Sequence, residues 1–209
     1  MDRVRLRAMS ETDLGLLAAN ETPESDPWNF FEIQASNRLH RRFATTGGIT
    51  DDAGMLAVET NDGTLVGSVS WFTVQHGPSA ACHAFNVGIS LFAEHRGQGY
   101  GSSAQRQLCD YLFSTRLVER VEAGTDLDNV AEQRALASAG FHREGTLRHA
   151  QFRAGHWRDV ILYSRLRGDG AISTPVSRGD GAVPTPASRG DEKGDAHEDD
   201  EGGEAPSTS

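Results

Sequence analysis

HRGQGYG, residues 95–101, sets three glycines and an arginine between a strand-like run, AFNVGISLF (84–92), and a helix-like run from Ser102 to about Thr115. The helix reading rests on Ala104, Leu108, Tyr111 and Leu112, which share one face. The first turn of a helix carries free N–H groups and a partial positive charge. Glycines let that main chain approach an anion with no Cβ in the way. Arg96 adds a full charge. Strand, glycine-rich loop and helix, in that order, form the general arrangement for holding phosphate.

Three readings of the loop compete: a plain connecting turn, a dinucleotide site and a coenzyme A diphosphate loop. Gly99 to Ala104 matches G-x-G-x-x-A, and Glu119 follows about 20 residues on. That fingerprint usually directly follows the first strand of its domain, whereas here four element candidates come first and AEHR intervenes. A Walker loop is excluded because no Gly-Lys-Ser/Thr follows.

Outward from the loop, strand and helix signals alternate. Residues 4–7 form a short strand, and Ser10 to Asp13 reads as a helix cap with a carboxylate at its third position. A second helix is expected within residues 32–45. MLAVET (55–60) and TLVGSVSWFTV (64–74) flank an Asp-Gly turn as a hairpin, with Leu65, Gly67, Val69 and Trp71 on one face. RLVERVEAGTDLDN (116–129) supplies a further strand, and a helix begins at Asn129.

The net charge of -10 divides unevenly. Residues 168–209 hold ten acidic and three basic side chains, which leaves only -3 for residues 1–167. The body therefore gives no signal for nucleic acid. No apolar run is long enough to span a membrane, and MDRVRLRAM lacks the apolar core of a secretory signal. Residues 168–209, which an 11-residue repeat starting at Arg167 (RGDGAISTPVS, then RGDGAVPTPAS) leads into, are too polar to offset their chain entropy and read as a disordered tail. Their RGD triplets fit by-products of repeat expansion better than adhesion motifs. Cys82 and Cys109 have no metal-type spacing, so no metal is expected, and a reducing cytoplasmic setting fits.

Arg96-Gly-Gln-Gly99-Tyr-Gly101 resembles the R/Q-x-x-G-x-G/A motif of the GNAT acyltransferases. Asn129 with Ala139-Gly140-Phe141 resembles their N…GF element, and GTLRHAQFRAGHWRDVILYSRL (145–166) resembles the closing strands of the RimJ/RimL-like branch. The resemblance implies an α/β fold, with a mixed sheet splayed open after its fourth strand and flanked by helices in residues 1–167. It implies an N-acyltransferase that takes acetyl-CoA, or another acyl-CoA, and an amine acceptor, as a monomer or homodimer. Leu91, Phe92 and Ala93 would hold the pantetheine and acyl carbonyl, their N–H groups facing the oxyanion. Arg96, Gly97, Gln98, Gly99, Tyr100, Gly101 and Ser102 would hold the diphosphate, and Asn129 the CoA arm.

Proton handling departs from the family pattern. Leu136 stands where many members carry tyrosine, Glu132 where this branch often has serine, and Asn86 where it often has glutamate. His83 and Asn86 are the candidate catalytic residues, His83 because its ordinary pKa lies in the working range. Glu59 reads as a solvated strand-end acid, Glu132 as a surface residue at a helix start, and Cys109 as a core residue. Trp28, Phe30 and Phe31 either line the acceptor site or anchor their loop. His40 to Arg42 reads as a solvated helix face, and Trp157 and Tyr163 as packing residues. Weak proton handling suits an acceptor of low pKa, such as an α-amine at about 7.7–8.0 against about 10.4 for lysine.

Overall fold

A computed structural model describes residues 3–29, 31 and 43–169, within a unit spanning Met1–Ser173. Seven strands alternate with helices: β1 (Val4–Ala8), α1 (Glu11–Ala19), β2 (Ala53–Thr60), β3 (Leu65–Gln75), β4 (His83–Leu91), α2 (Tyr100–Thr115), β5 (Arg120–Asp126), α3 (Val130–Ser138), β6 (His142–Arg153) and β7 (His156–Leu166). They form one sheet in the order β1-β2-β3-β4-β5-β7-β6. Every neighbouring pair is antiparallel except β4 and β5, which run parallel across the α2 crossover. A dinucleotide fold needs a mostly parallel sheet, so this order removes that reading. The expected helix over 32–45 and the segments at Phe30, His40–Arg42 and 170–209 lie outside the described residues, save that 43–46 are helical.

The parallel pair is short. β4 and β5 are in register only at Phe85–Val121 and Asn86–Glu122. Beyond those two pairs β4 runs on to Leu91 and β5 to Asp126, and the strands diverge. This is the splay that the resemblance implied.

The core fills the α2 side of the sheet. Ala104, Leu108 and Leu112 pack from α2 onto Trp71, Phe85, Val87 and Val121, with Leu136, Phe141 and Tyr163 closing the far side. The expected stripe of β3 is corrected at its start. Glu59 pairs with Leu65 but Val58 with Gly67, so Val66 is the extra residue of a bulge. The bulge shifts the alternation by one, and it is Val66, not Leu65, that joins Val69 and Trp71 in the core. A Cβ on Gly67 would sit 2.1 Å from the Ser90 carbonyl oxygen, so this crossing of β3 and β4 requires glycine.

Two further expectations are corrected. Glu59 is buried rather than solvated, because Arg5 and Arg7 on the adjacent β1 both bind its carboxylate. Arg7 also reaches Asp13 at 2.6 Å, and Asp13 closes the expected capping box with Ser10. Trp157 is not packed in the core: it is exposed near the β6–β7 turn with its ring edge-on to Phe152. Tyr163 is buried, as expected of a packing residue.

Candidate active site

The divergence of β4 from β5 leaves an open main-chain edge. The Phe92 N–H donates to the Val66 carbonyl at 3.0 Å. Bonded and non-bonded residues alternate along an antiparallel strand, so Ile89 and Leu91 turn their main-chain groups away from β3 and into the splay. Their carbonyls accept side-chain donors there: Asn29 Nδ2 reaches Ile89 at 3.1 Å, and Arg96 Nε reaches Leu91 at 2.9 Å. The expectation that the Phe92 N–H faces the oxyanion is therefore corrected, since that group belongs to the β3–β4 ladder. The Leu91 N–H has the required direction. Ala93 begins a short 3₁₀ turn, Ala93–His95, leading into the loop.

The loop ends at an uncapped helix. α1 and α3 are each capped by a side chain of their own, Ser10 and Asn129. α2 instead starts at Gly99, in a left-handed conformation (φ 78°), with no side-chain cap. Its first N–H groups are thus left to whatever approaches. Gly97 is likewise left-handed (φ 74°) and has open space where a side chain would stand. Ser102 bonds back to the Gly99 carbonyl at 3.1 Å, and Gln98 to that of Glu94 at 3.2 Å. Arg3, which sequence reasoning passed over, donates to the Gln98 carbonyl at 2.9 Å and brings a second cation to the loop. Arg96 is turned the other way. Besides Leu91 it donates to the Ser25 carbonyl at 2.5 Å and stands 3.8 Å from Asp26, so two of its nitrogens tie the loop to the segment after α1.

A cavity of about 270 Å³ opens beside this edge, between α1 with the segment after it and the sheet face opposite the core. Ser68, Ser70, Gly88 and Ser90 form its floor, Leu14 and Leu17 part of its roof, and Glu21, Asp26 and Arg96 its charged wall. Asp26 is buried and accepts from Ser90 Oγ at 2.6 Å and from Asn29 Nδ2 at 3.0 Å. Burial, followed by the charge of Asp26, raises the Glu21 pKa above the ordinary carboxylate value. The segment is strapped from outside by Arg153, which donates to the Trp28 carbonyl at 2.8 Å and lies over the Trp28 ring at 5.5 Å and the Phe31 ring at 6.0 Å. Of the two roles open to Trp28 and Phe31, these contacts favour anchoring.

The two candidate catalytic residues do not gather here. His83 opens β4, eight residues from Leu91, which at about 3.3 Å per residue is about 26 Å from the far end of the open edge. Its Nδ1 lies 2.7 Å from the Ala80 carbonyl, beside Cys82, and the strand places it about 16 Å, at about 3.3 Å per residue, from Gly88 on the cavity floor. Asn86 shares the face of Gly88 and Ser90 but pairs with Phe72 and Glu122, one step beyond the cavity floor. Asn129 Oδ1 accepts from the Glu132 N–H at 3.2 Å, so its oxygen is committed to the helix cap and only its amide nitrogen is left for a ligand. Leu136 is wholly buried in the core. Glu132 departs from its expected surface role: Gln105 Nε2 donates to it at 2.9 Å, and burial pushes its pKa up to about 7. Asp26, Glu21 and Asn29 were also missed. The one available signal was Asp26-Pro27 at the end of a helix-to-loop transition, and it says nothing about which strand the acid meets. Among the described residues no cluster of side chains suits a metal ion, and no helix is long and apolar enough to cross a membrane.

A mixed sheet that opens at its parallel pair, beside a glycine-led helix end and a lined cavity, defines an acyltransferase-type α/β fold. Residues 3–142 match the family described as acetyltransferase (GNAT) domain, so the chain belongs to the GNAT acetyltransferase family. A Bacillus subtilis (strain 168) protein named "Probable N-acetyltransferase YjcK" is 35% identical over 109 residues, 52% of this chain. An uncharacterized N-acetyltransferase, p20, of Bacillus licheniformis is 33% identical over 85 residues, 41% of this chain. The chain spans 59% and 48% of the lengths of these two relatives. Among solved structures, Mycobacterium smegmatis RimJ in complex with CoA-disulfide superposes with a TM-score of 0.66 at 22% identity, over 81% of this chain and 85% of that one. Vibrio cholerae spermidine N-acetyltransferase with CoA and spermine gives 0.66 at 18%, over 81% and 98%.

Proposed function

We propose that this chain is an acetyl-CoA-dependent N-acetyltransferase that moves the acetyl group directly to a primary amine within a ternary complex. The observation that carries the reading is the open edge at Ile89 and Leu91, set between the uncapped start of α2 and the cavity walled by Glu21 and Asp26. A thioester arm laid along that edge can take the Leu91 N–H as a donor to its carbonyl. The N–H groups of residues 99–102, with Arg3 nearby, suit the diphosphate, and the Asn129 amide suits the CoA arm. Arg96 holds the edge and the cavity wall together. Placing the amine and the thioester side by side supplies much of the rate, since well-oriented groups gain about 7–11 kcal/mol over free collision.

The acceptor enters through the cavity, where two carboxylates favour a cationic amine. An α-amine fits best, because a useful fraction is neutral near pH 7 without a strong base. The acceptor is a peptide, a protein N-terminus or a small metabolite. Residues 1–167 form the transferase domain, acting in the cytoplasm, and 168–209 an appended acidic tail. Thiol release from acetyl-CoA against a panel of amines, with products read by mass spectrometry, tests this. Turnover with α-amine peptides ahead of ε-amine peptides is the expected result. Stabilisation by CoA without turnover on any amine would make the chain an acyl-CoA-binding module instead, and a preference for ε-amines would overturn the choice of acceptor.

A further inference from the structure

Glu132 is a carboxyl with no counter-charge among the described residues, in a place where the reaction needs a proton. It sits in the first turn of α3, an ordinary position for a solvated acid. Here its side chain turns inward instead. Gln105, 1% exposed on α2, donates Nε2 to Glu132 Oε1 at 2.9 Å. No described residue donates to Oε2, and none of the described cations pairs with the group. The Gln105 Oε1 is itself buried without a partner. A purely structural pair would satisfy both ends of the amide. This one leaves an acceptor idle beside the carboxyl, which the acid form of Glu132 can use if the amide turns over.

The location follows from the helix faces. Gly101 and Gln105 lie one turn apart on α2, and Glu132 and Ala135 one turn apart on α3. A Cβ on Gly101 would stand 3.7 Å from Leu91 Cδ1 and 3.9 Å from the Ala135 Cβ. The first turn of α2 therefore meets the second turn of α3 at the end of β4, where the splay opens, and the Gln105–Glu132 pair lies one turn farther along α2. Asp26 acts on Glu132 from the cavity side and disfavours its ionised form. Of the other charged groups nearby, Asp126 at the end of β5 is paired with Arg153 of β6, α2 presents the uncharged Gln105, and Arg134 of α3 is exposed.

We propose that Glu132 is the proton donor to the departing CoA sulfur and that Gln105 is the residue that positions it. The inference rests on the acetyl-transfer reading above. The acceptor nitrogen bonds to the acyl carbon, and the carbon–sulfur bond breaks with its electron pair going to sulfur. Sulfur takes the Glu132 proton and leaves as the thiol. The nitrogen sheds its own proton to water in the cavity, and water reprotonates Glu132. The carboxyl is well suited to this work, because loss of hydration lifts its pKa from 4.5 to about 7, leaving much of it protonated near neutrality.

The test uses the full chain with acetyl-CoA and the amine that gives turnover. The wild-type kcat should fall as pH rises through about 7, where the acid form is lost. Glu132→Gln should lower kcat by about 10²–10⁴-fold, leave the KM for acetyl-CoA unchanged and remove that alkaline limb. Gln105→Leu removes the one hydrogen bond that favours the ionised form, so it should move the limb to higher pH, a readout that stands even if Glu132→Gln does not fold. Independently of turnover, the carboxyl carbon-13 resonance that disappears in Glu132→Gln should titrate near 7 in the free protein and shift with CoA more than with desulfo-CoA. A Glu132→Gln enzyme that keeps both kcat and the alkaline limb overturns the proposal alone. So does an equal response to CoA and desulfo-CoA. Failure of the wild type to bind CoA, read as no thermal shift, overturns the acetyl-transfer reading and this proposal together.

Discussion

Arg153→Met should be among the most damaging single substitutions outside the cavity. Arg153 and Asp126 form an ion pair whose side chains are 6% and 5% exposed. Removing one partner of such a pair strands the other charge in a medium that solvates it poorly, which costs about 3–5 kcal/mol. For a domain of this size each kcal/mol is worth about 2–4 °C in Tm, so the loss should be roughly 6–20 °C. Asp126→Asn should cost less than a full truncation, because the amide can still accept from the Asp128 N–H that Asp126 caps at 2.9 Å. The double variant should cost clearly less than the sum of the singles, since the second change removes the stranded charge. Urea titrations of the four proteins give these energies. Asp110→Asn breaks the Arg165–Asp110 pair, whose acid is 58% exposed, and serves as the control, with an expected cost of about 0–1 kcal/mol. A cost below about 1 kcal/mol for Arg153→Met, or strict additivity in the double variant, would refute the idea that burial makes this pair different. Because Arg153 also holds Trp28, next to Asn29 and Asp26, its loss should raise the KM for the amine more than that for acetyl-CoA.

Three further outcomes are expected. Leu136→Tyr restores the hydroxyl that many relatives carry at this position but should not improve activity. Leu136 is wholly buried, and overfilling the site should cost about 1–3 kcal/mol, which a melting curve will show. A thiol reagent should titrate the half-exposed Cys82 in the native protein and reach Cys109 only on unfolding, since burial pushes that thiol up to about 12; equal rates for the two would contradict this. The Arg7 hydrogen bond lowers the Asp13 pKa from 3.8 to about 2. Its ionised form therefore adds stability above the unfolded value, and that stability is lost as pH falls through the folded one. Asp13→Asn should cost about 2 kcal/mol at pH 7, and the gap to wild type should close between about pH 4 and pH 2 in acid-unfolding curves.

What could be read in the chain was what local pattern encodes. The glycine loop, the period of α2, the Ser10–Asp13 cap and the strand alternation each depend on a few neighbouring residues. They sufficed for the order of the described elements, whereas the splay after the fourth strand came from the family resemblance and not from local pattern. The errors share a different origin. Val66 enters the core because of a register shift that only the partner strand reveals. Glu59 is buried because two arginines on β1 face it across a sheet assembled from distant segments. His83 looked promising because of its pKa, yet strand direction carries it to the wrong end of β4. Glu132 and Asp26 owe their character to Gln105 and Ser90, 27 and 64 positions away. Arg96 shows the same limit: the motif signals a cation by the loop but not that its nitrogens close on Leu91 and Ser25.

The short β4–β5 pairing also leaves a mark on the kinetics of deuterium uptake. Amides at alternate positions near the end of β4 belong to different environments, one set locked into the β3 ladder and the other, at Ile89 and Leu91, facing a gap. A single strand should thus exchange slowly and quickly at every other residue. An occupant that bonds to that edge would erase the alternation and leave the rest of the sheet as it was. The strand is thereby its own reporter of whether the cleft is filled, with no substrate turnover required.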